Sequence, residues 1–184
     1  MKAVRLLAVV TAALAVAATG CTNPAPTPAD LTIDLASDIH ICLLDQTSST
    51  VDGTSFALSL YSKKPGRWTL DSLLGNPADG IIITKSWLVK DPDHENPAFG
   101  SGFAIPPTND NPAALARWKD RQALPGAKLE GDAADSVVLL QLNRTGENAG
   151  MLTGLDLNYT DTTGSHTQTA AGFTVTLNSP GHPC

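Results

Sequence analysis

The sequence predicts a mostly β domain, a β-sandwich of about seven or eight strands, and three observations support this class. Several segments alternate apolar and polar side chains with a period of two, which is typical of half-buried strands. Turns rich in Gly, Pro, Asn and Asp separate these segments. One stretch breaks the alternation and favours a single short helix within a long insertion between strands. Many short strands with such turns indicate a sandwich or a barrel.

Two alternating segments begin the domain, at 31–35 and 39–43. Their apolar residues keep the same phase, so one long strand is expected to bend or break at Ser37-Asp38. Further strands are predicted at 55–60, 67–70, 81–89, 137–142, 155–160 and 173–177. The segments that begin at Ile81 and Val137 are apolar on both faces, as central strands are. A hairpin turn is predicted between the last two strands, at 161–164.

The predicted helix begins at Asn111, a good N-cap residue, with Pro112 in the first turn, where the missing N–H costs nothing. Leu115 and Trp118 are three residues apart and share one face. So short a helix is marginal alone, so this face is expected to pack on the sheet. Pro125-Gly126 is expected to end the helical segment.

The segment 91–110 has no periodicity and contains four prolines. Structureless connections of this length are uncommon in compact domains and are often functional. Phe99 and Phe103 lie inside the segment, so we expect it to be partly tied to the rest of the domain.

The first 20 residues have the three parts of a secretory signal peptide. Lys2 and Arg5 give a positive start, residues 6–18 carry no charge, and small residues precede a cysteine. The run Ala18-Thr19-Gly20-Cys21 resembles the lipobox of bacterial lipoproteins. The resemblance implies cleavage before Cys21 and attachment of a diacylglyceryl group to its thiol. The protein would then be anchored to the outside of the cell membrane, with 21–30 as a lipidated, proline-rich tether and 31–184 as one domain.

Three cysteines are present, and Cys42 and Cys184 remain if Cys21 carries lipid. Two cysteines outside the cytoplasm are usually paired. We therefore predict a disulfide between Cys42 and Cys184, with two free thiols as the alternative.

The charge balance limits the partners. Without the signal peptide the chain has 10 basic and 18 acidic residues, a formal charge of −8. This charge argues against nucleic acid and against anionic lipid headgroups as partners. The membrane is expected to be contacted through the lipid anchor alone.

Two parts of the chain are similar to immunoglobulin-like modules of envelope proteins in high-GC Gram-positive bacteria. The run LLGNPADGIII at 73–83 resembles a segment in which a new strand follows a polar turn, and 154–160 with 167–169 resembles a closing hairpin. The resemblance implies an immunoglobulin-like β-sandwich and no particular activity. The chain departs from antibody domains because Cys42 and Cys184 are too far apart for the Cys–Trp–Cys spacing.

No motif of a known catalytic class is present. The sequence has no Gly-x-Ser-x-Gly, no phosphate-binding glycine loop and no dinucleotide fingerprint. A carboxylate pair for glycoside hydrolysis would be close in space and not in sequence, so the sequence neither indicates nor excludes one. We predict no cofactor and favour a non-enzymatic protein.

One short run could bind a metal. Asp91, Asp93, His94 and Glu95 supply three carboxylates and an imidazole within five residues, a set that could ligate a cation. The alternative is a solvated acidic turn, because motifs this short often mislead.

Three functions remain open. The favoured one is a binding or interaction module of the cell envelope, whose partner is an envelope protein or a cell-wall component. Its candidate binding residues are Phe99, Phe103, Trp118 and Arg121, since aromatic residues and Arg are enriched in binding hot spots. Packing over the sandwich is the other interpretation of these aromatics. The alternatives are a cation- or small-ligand-binding lipoprotein that uses the 91–110 loop, and an envelope hydrolase with no recognisable motif.

Overall fold

The computed structural model describes residues 30–35, 38–44, 54–76, 78–93 and 97–179, except for the side chain of Phe103. These residues form twelve strands, one α-helix and a short 3-10 turn at Ala133–Asp135. The strands are β1 (Leu31–Asp34), β2 (His40–Leu44), β3 (Thr54–Ser62), β4 (Gly66–Gly75), β5 (Ala78–Asp79), β6 (Ile81–Lys90), β7 (Ser101–Ala104), β8 (Gln122–Ala123), β9 (Ala127–Gly131), β10 (Ser136–Arg144), β11 (Gly150–Asp161) and β12 (Gly164–Asn178). The helix α1 (Pro112–Trp118) lies between β7 and β8.

The strands form two six-stranded sheets packed together, which confirms the predicted β-sandwich. The first sheet has the order β1-β3-β10-β6-β8, and β7 also pairs with β3. The second sheet has the order β2-β12-β11-β4-β9, and β5 also pairs with β11. The β2–β12 pair is parallel, and the other pairs are antiparallel. The immunoglobulin-like assignment stays a prediction.

Period-two alternation decides which side chains lie between the sheets. On β12, Phe173, Val175 and Leu177 are buried in the main core, in the predicted phase. Tyr159 of β11 is fully buried, and its hydroxyl accepts a hydrogen bond from the Leu31 N–H at 3.4 Å. Each large apolar side chain buried in this way stabilises the fold by about 1.5–3 kcal/mol. The alternation is therefore the main sequence signal for this fold.

The predicted break near Asp38 is the point at which the chain changes sheet. β1 belongs to the first sheet, whereas β2 belongs to the second. Asp38 adopts a φ of 65°, and its N–H donates to the carbonyl oxygen of Gly172 at 2.6 Å. Residue Ser37 itself lies outside the described residues.

The predicted turn between the last two strands is confirmed. β11 and β12 form an antiparallel hairpin in which Asp161 pairs with Gly164, the two ends of the turn. Oδ1 of Asp161 accepts hydrogen bonds from the N–H groups of Thr163 and Gly164 at 2.6 and 3.2 Å. The aspartate therefore holds the turn through its side chain, as turn aspartates commonly do.

The sequence pattern underestimates the number and length of the strands. It misses β5, β7, β8 and β9, which have two to five residues each, and it places only residues 67–70 in the longer β4. Strands this short contain too few alternations to be recognised. Contrary to the sequence prediction, the start of β6 is also not covered on both faces, because Ile82 is 48% exposed. The part of β6 that is buried on both faces is its end, where Trp87 and Val89 lie on one face and Leu88 on the other.

The helix begins where the sequence predicts. Oδ1 of Asn111 accepts a hydrogen bond from the Ala114 N–H at 2.9 Å, and Pro112 is the first helical residue. The helix ends at Trp118, well before Pro125, because Gln122–Ala123 pair with β6 as strand β8. Among the described residues, no helix has the length and apolar character needed to cross a membrane.

Candidate functional site

The described residues 97–110 and helix α1 cover the outer face of the first sheet. This face is apolar, and a second hydrophobic cluster fills the space between it and the covering segment. The sheet contributes Trp87, Val89, Val137 and Leu139, and the covering layer contributes Ala98, Phe99, Ile105, Ala114 and Trp118. Phe99 is only 3% exposed and Trp118 only 8%. Of the three predicted binding aromatics, the two whose side chains are described are therefore buried in packing.

Asp91 ties this covering layer to the sheet. Its side chain is buried, and its carboxylate accepts hydrogen bonds from the N–H groups of Ala98 (3.1 Å) and Phe99 (3.3 Å). Arg117 of α1 forms an ion pair with the same carboxylate. Asn111, the helix cap, donates from Nδ2 to the Ala98 carbonyl oxygen at 3.0 Å. One buried carboxylate thus fixes both the loop and the helix.

The predicted binding residue Arg121 is exposed next to the helix. Its guanidinium carbon lies 4.3 Å from the centre of the Trp118 ring, and Nη1 donates to the Trp118 carbonyl oxygen at 2.9 Å. Trp118 also contacts Trp87 edge to face, with ring centres 5.0 Å apart. Arg121 therefore lies over the outside of a packed aromatic pair. The side chain of Phe103 lies outside the described part of the structure.

Asp91 and Asp93 of the acidic run border a depression of about 270 Å³ on the first sheet. Its lining residues include Asp34, Tyr61, Asp91 and Asp93. Nothing in the sequence indicated that Asp34 belongs to this site. His94 and Glu95, the other predicted metal ligands, lie outside the described residues. Within the described ranges, no three His, Cys, Asp or Glu side chains are grouped to hold a metal ion.

Hydrogen-bonded polar side chains occupy the middle of the outer face of the second sheet. Asp156 accepts hydrogen bonds from Thr169 (2.7 Å) and Asn76 (2.7 Å), and these bonds lower the pKa of its carboxyl below the ordinary 3.8. Asn158 donates to Oγ of Ser72 at 2.9 Å and accepts from Thr167 at 2.6 Å. These cross-strand bonds satisfy the side chains within the face itself.

Where the tether would enter the domain, two adjoining depressions form an open groove, here called the tether-end groove. The larger, of about 450 Å³, is lined by Asp30, Lys64, Pro65, Gly66, Arg67, Trp68, Asp161 and Thr162. The smaller, of about 310 Å³, shares four of these residues and adds Thr69, Lys128, Glu130 and Thr160. Neither the sequence pattern nor any motif indicated this groove, because its residues come from four separate parts of the chain.

The opposite end of the sandwich, here called the far end, carries exposed apolar side chains. Leu44 is the last residue of β2, and Met151 and Ile82 are the second residues of β11 and β6. Their exposed fractions are 46%, 46% and 48%. The other exposed large apolar side chains in the described residues are Ile39, Tyr61 and Leu74. A depression of about 260 Å³ adjoins the far end, lined by Glu147, Asn148, Ala149, Asn178 and Ser179.

Cys42 also lies toward the far end, on the exposed face of β2. It pairs with Thr176 across the parallel strands, and Nδ2 of Asn178 donates to its Sγ at 3.4 Å. The other predicted half of the disulfide, Cys184, and the predicted lipidation site, Cys21, lie outside the described residues.

One cluster contains the residue types of a catalytic triad without its geometry. Nε2 of His166 is 3.0 Å from Oδ1 of Asp161 and 3.0 Å from Oγ1 of Thr163. A triad needs the carboxylate and the hydroxyl on opposite ring nitrogens, whereas here both contact the same nitrogen. The imidazole also stacks on Tyr159, with ring centres 5.1 Å apart. This cluster stabilises the hairpin and has no arrangement for nucleophilic attack.

Comparison with known proteins gives no family. No protein-family model matches the chain, and no curated protein does. A solved structure described as the N-terminal domain of PorA is similar over 83% of this chain and 99% of its own, with 9% identity and a TM-score of 0.31. A similarity at this level identifies neither a relative nor a function.

Proposed function

We propose that the protein is a lipoprotein anchored by Cys21 to the outside of the cell membrane, where it acts as a non-enzymatic binding module of the envelope. Its partner, an envelope protein or a cell-wall component, contacts the far end of the sandwich. The observation that supports this proposal is the position of Leu44, Ile82 and Met151 relative to the start of the domain at Asp30.

The two ends of the sandwich are far apart. Asp30 lies beside the β11–β12 hairpin, since it lines the same groove as Asp161. β12 runs from that hairpin to Asn178, which pairs with Leu44. Its fifteen residues extend over roughly 45 Å. A tether attached at Asp30 would therefore leave the far end directed away from the bilayer.

The exposed apolar residues favour the far end over the 91–110 segment as the contact surface. Exposed apolar groups grouped together mark interaction surfaces more often than buried ones do. The aromatic residues Phe99 and Trp118 are already used in packing. Leu44 and Met151 lie on either side of the end of β12, on the same outer face of the second sheet.

The proposal includes the disulfide between Cys42 and Cys184. Cys184 follows Asn178 by six residues, which can span at most about 20 Å. The Asn178 side chain already touches the sulfur of Cys42, so this reach is sufficient. A non-reducing peptide map of native protein should contain the Cys42–Cys184 pair, and recovery of both residues as thiols would disprove it.

The anchor is tested by fractionation. The wild-type protein should sediment with membranes, and the Cys21→Ala variant should appear in the medium or remain uncleaved. A Cys42→Ala variant is the matched control, because it removes a cysteine without touching the lipobox. A Cys21→Ala protein that is processed normally and stays in the membrane would contradict the anchor.

The contact surface is tested by photo-crosslinking in living cells. A photoreactive amino acid at Met151 or Leu44 should give a discrete crosslinked product with an envelope component. The same amino acid at Thr167, on the polar face of the second sheet, is the control and should give none. Equal crosslinking at all three positions would show random collision and would contradict a binding surface at the far end.

A second candidate function is cation or cationic-ligand binding at the depression beside 91–95. The observation in its favour is that Asp34, Asp93 and the exposed Tyr61 line one depression that has no Lys or Arg among its lining residues. Titration of the protein with Ca²⁺ or with an alkylamine should then shift the Tyr61 signals, and Asp34→Asn should weaken the effect. An unchanged spectrum would exclude this function.

A further inference from the structure

The tether-end groove contains charges of both signs, which come from Asp30, Lys64, Arg67 and Asp161. Neither Lys64 nor Asp30 forms an ion pair with any other residue in the described part of the chain. Arg67 approaches Glu130 only to 4.0 Å, and both side chains are largely exposed. Exposed pairs of this kind contribute little, so Arg67 remains available to another anion.

Asp161 supplies a fixed negative charge on the other side of the groove. All four of its hydrogen bonds, from Thr163, Gly164 and His166, reach the same oxygen, Oδ1. Among the described residues no hydrogen bond reaches Oδ2. Burial raises the pKa of Asp161, but the hydrogen bonds from Thr163 and the contact with His166 outweigh it and lower the pKa to about 2. The carboxylate is therefore ionised at neutral pH.

The shape of the groove suits a small molecule. Its larger part has a volume of about 450 Å³, within the range of ligand sites. Gly66 lies directly on the Trp68 ring, and a Cβ at position 66 would come within 2.5 Å of that ring. The glycine therefore lets the Trp68 ring pack closely against the chain, and both residues line the groove.

We propose that the tether-end groove binds a small zwitterion, a molecule that carries one anionic group and one ammonium group. Lys64 and Arg67 bind the phosphate or carboxylate, and Asp30 and Asp161 bind the ammonium. Such a ligand could be the zwitterionic headgroup of a membrane lipid or a free amino acid. This site is separate from the far end and does not rest on the proposed partner contact or on the lipid anchor.

A ligand of one sign fits the groove less well. An anion alone would contact Lys64 and Arg67 but would place its charge beside two carboxylates. An ammonium group alone would contact Asp30 and Asp161 but would place its charge beside Lys64 and Arg67, which repel it. Charge-assisted hydrogen bonds are the stronger class, so a ligand that satisfies both sides should bind at least about tenfold more tightly than either half.

The experiment is a titration of the complete protein, purified in detergent, followed by NMR shifts of Trp68 and the groove amides. The probes are O-phosphorylethanolamine for the lipid headgroup, β-alanine for the amino acid, and ethanolamine and inorganic phosphate for the separate charges. We expect at least one zwitterion to shift the groove signals with a Kd at least about tenfold below those of both single-charge probes. The tighter zwitterion identifies the source of the ligand.

Variants test the assignment of charges. Lys64→Gln and Asp30→Asn should each weaken zwitterion binding by roughly fivefold, because each removes one exposed charge contact. Lys119→Gln, which removes an exposed lysine beyond α1, should change nothing. Melting curves of the three variants establish that each is folded. The proposal is overturned if neither zwitterion shifts the groove signals, if phosphate or ethanolamine binds as tightly, or if folded Lys64→Gln and Asp30→Asn proteins bind as the wild type does.

Discussion

The outer faces of the two sheets differ in the polarity of their side chains and in whether another layer covers them. The first sheet carries the apolar side chains of Trp87, Val89 and Leu139 on its outer side, and a loop and a helix cover them. The second sheet carries Asp156 and Asn158 on its outer side, and their neighbours on adjacent strands bind them. A face of hydrogen-bonded polar side chains needs no third layer, whereas an apolar face does.

This difference explains the long insertion after β6. The segment looks like a binding loop in the sequence because it is irregular and rich in aromatic residues. In the structure Phe99 and Trp118 are part of a second hydrophobic cluster, which the Asp91–Arg117 ion pair holds in place. Irregular sequence and exposed apolar surface are therefore separate properties in this protein. The surface that we propose for a partner lies elsewhere, at the far end, where Leu44, Ile82 and Met151 are exposed.

The largest effect should come from the aromatic pair under the helix. Trp118→Ala removes the contact with Trp87 and the support for Arg121, and should lower the free energy of unfolding by about 3–5 kcal/mol. Urea denaturation gives the value, with Lys119→Ala as an exposed neighbouring control. A Trp118→Ala protein as stable as the control would mean that the helix is not packed on the first sheet.

A somewhat smaller loss is expected at Asp91. Asp91→Ala leaves Arg117 and the Ala98 and Phe99 amides without their acceptor. The free energy of unfolding should fall by about 3 kcal/mol. This value is the lower limit for breaking a buried ion pair, because Arg117 is partly exposed. The double variant Asp91→Asn with Arg117→Met should recover part of this loss. If the double variant is less stable than Asp91→Ala, the ion pair is not the source of the effect.

The polar face should respond much less to mutation. Asn158→Ala removes two cross-strand hydrogen bonds, to Ser72 and from Thr167, and should cost about 1 kcal/mol because water replaces them. The same urea denaturation measures this value. If Asn158→Ala lowers the free energy of unfolding as much as Trp118→Ala does, the polar face is not solvated and the two faces do not differ as described.

The smallest effect is a pH dependence at the hairpin. The folded pKa of Asp161 is about 2, below the ordinary 3.8, so its contribution to stability is complete above about pH 4 and is lost as the pH falls toward 2. Asp161→Asn should therefore flatten the fall in stability between pH 4 and pH 2. Asp120→Asn, an exposed substitution beyond the helix, is the control and should leave the slope unchanged. If the stability of Asp161→Asn falls between pH 4 and pH 2 as steeply as that of the wild type, Asp161 is not the source of this pH dependence.

The sequence predicts most of the fold because alternation and capping are local properties. Asn111 and Pro112 mark the start of the helix, and the phase of 31–43 indicates a break at the point where the chain changes sheet. The apolar run that begins at Val137 correctly indicates a strand covered on both faces. The same criterion fails at Ile81, because an apolar run does not tell an exposed strand end from a buried centre.

The candidate sites were harder to predict because they depend on distant residues. The tether-end groove joins Asp30, Lys64 and Asp161, and the acidic depression adds Asp34 to Asp93. No spacing in the sequence brings such residues together. Phe99 and Trp118 show the converse problem, since residue type alone does not separate a packing aromatic from a binding one.

The most direct test of the account is the recovery of envelope partners by two variants that should be equally folded. Met151→Lys places a charge on the far end, and Arg121→Ala alters an exposed residue that the sequence singled out for binding. The partner that crosslinks at Met151 should be lost from Met151→Lys and retained by Arg121→Ala, with melting temperatures close to that of the wild type. Loss of the partner from Arg121→Ala and its retention by Met151→Lys would place the binding surface on the covering layer and contradict the account.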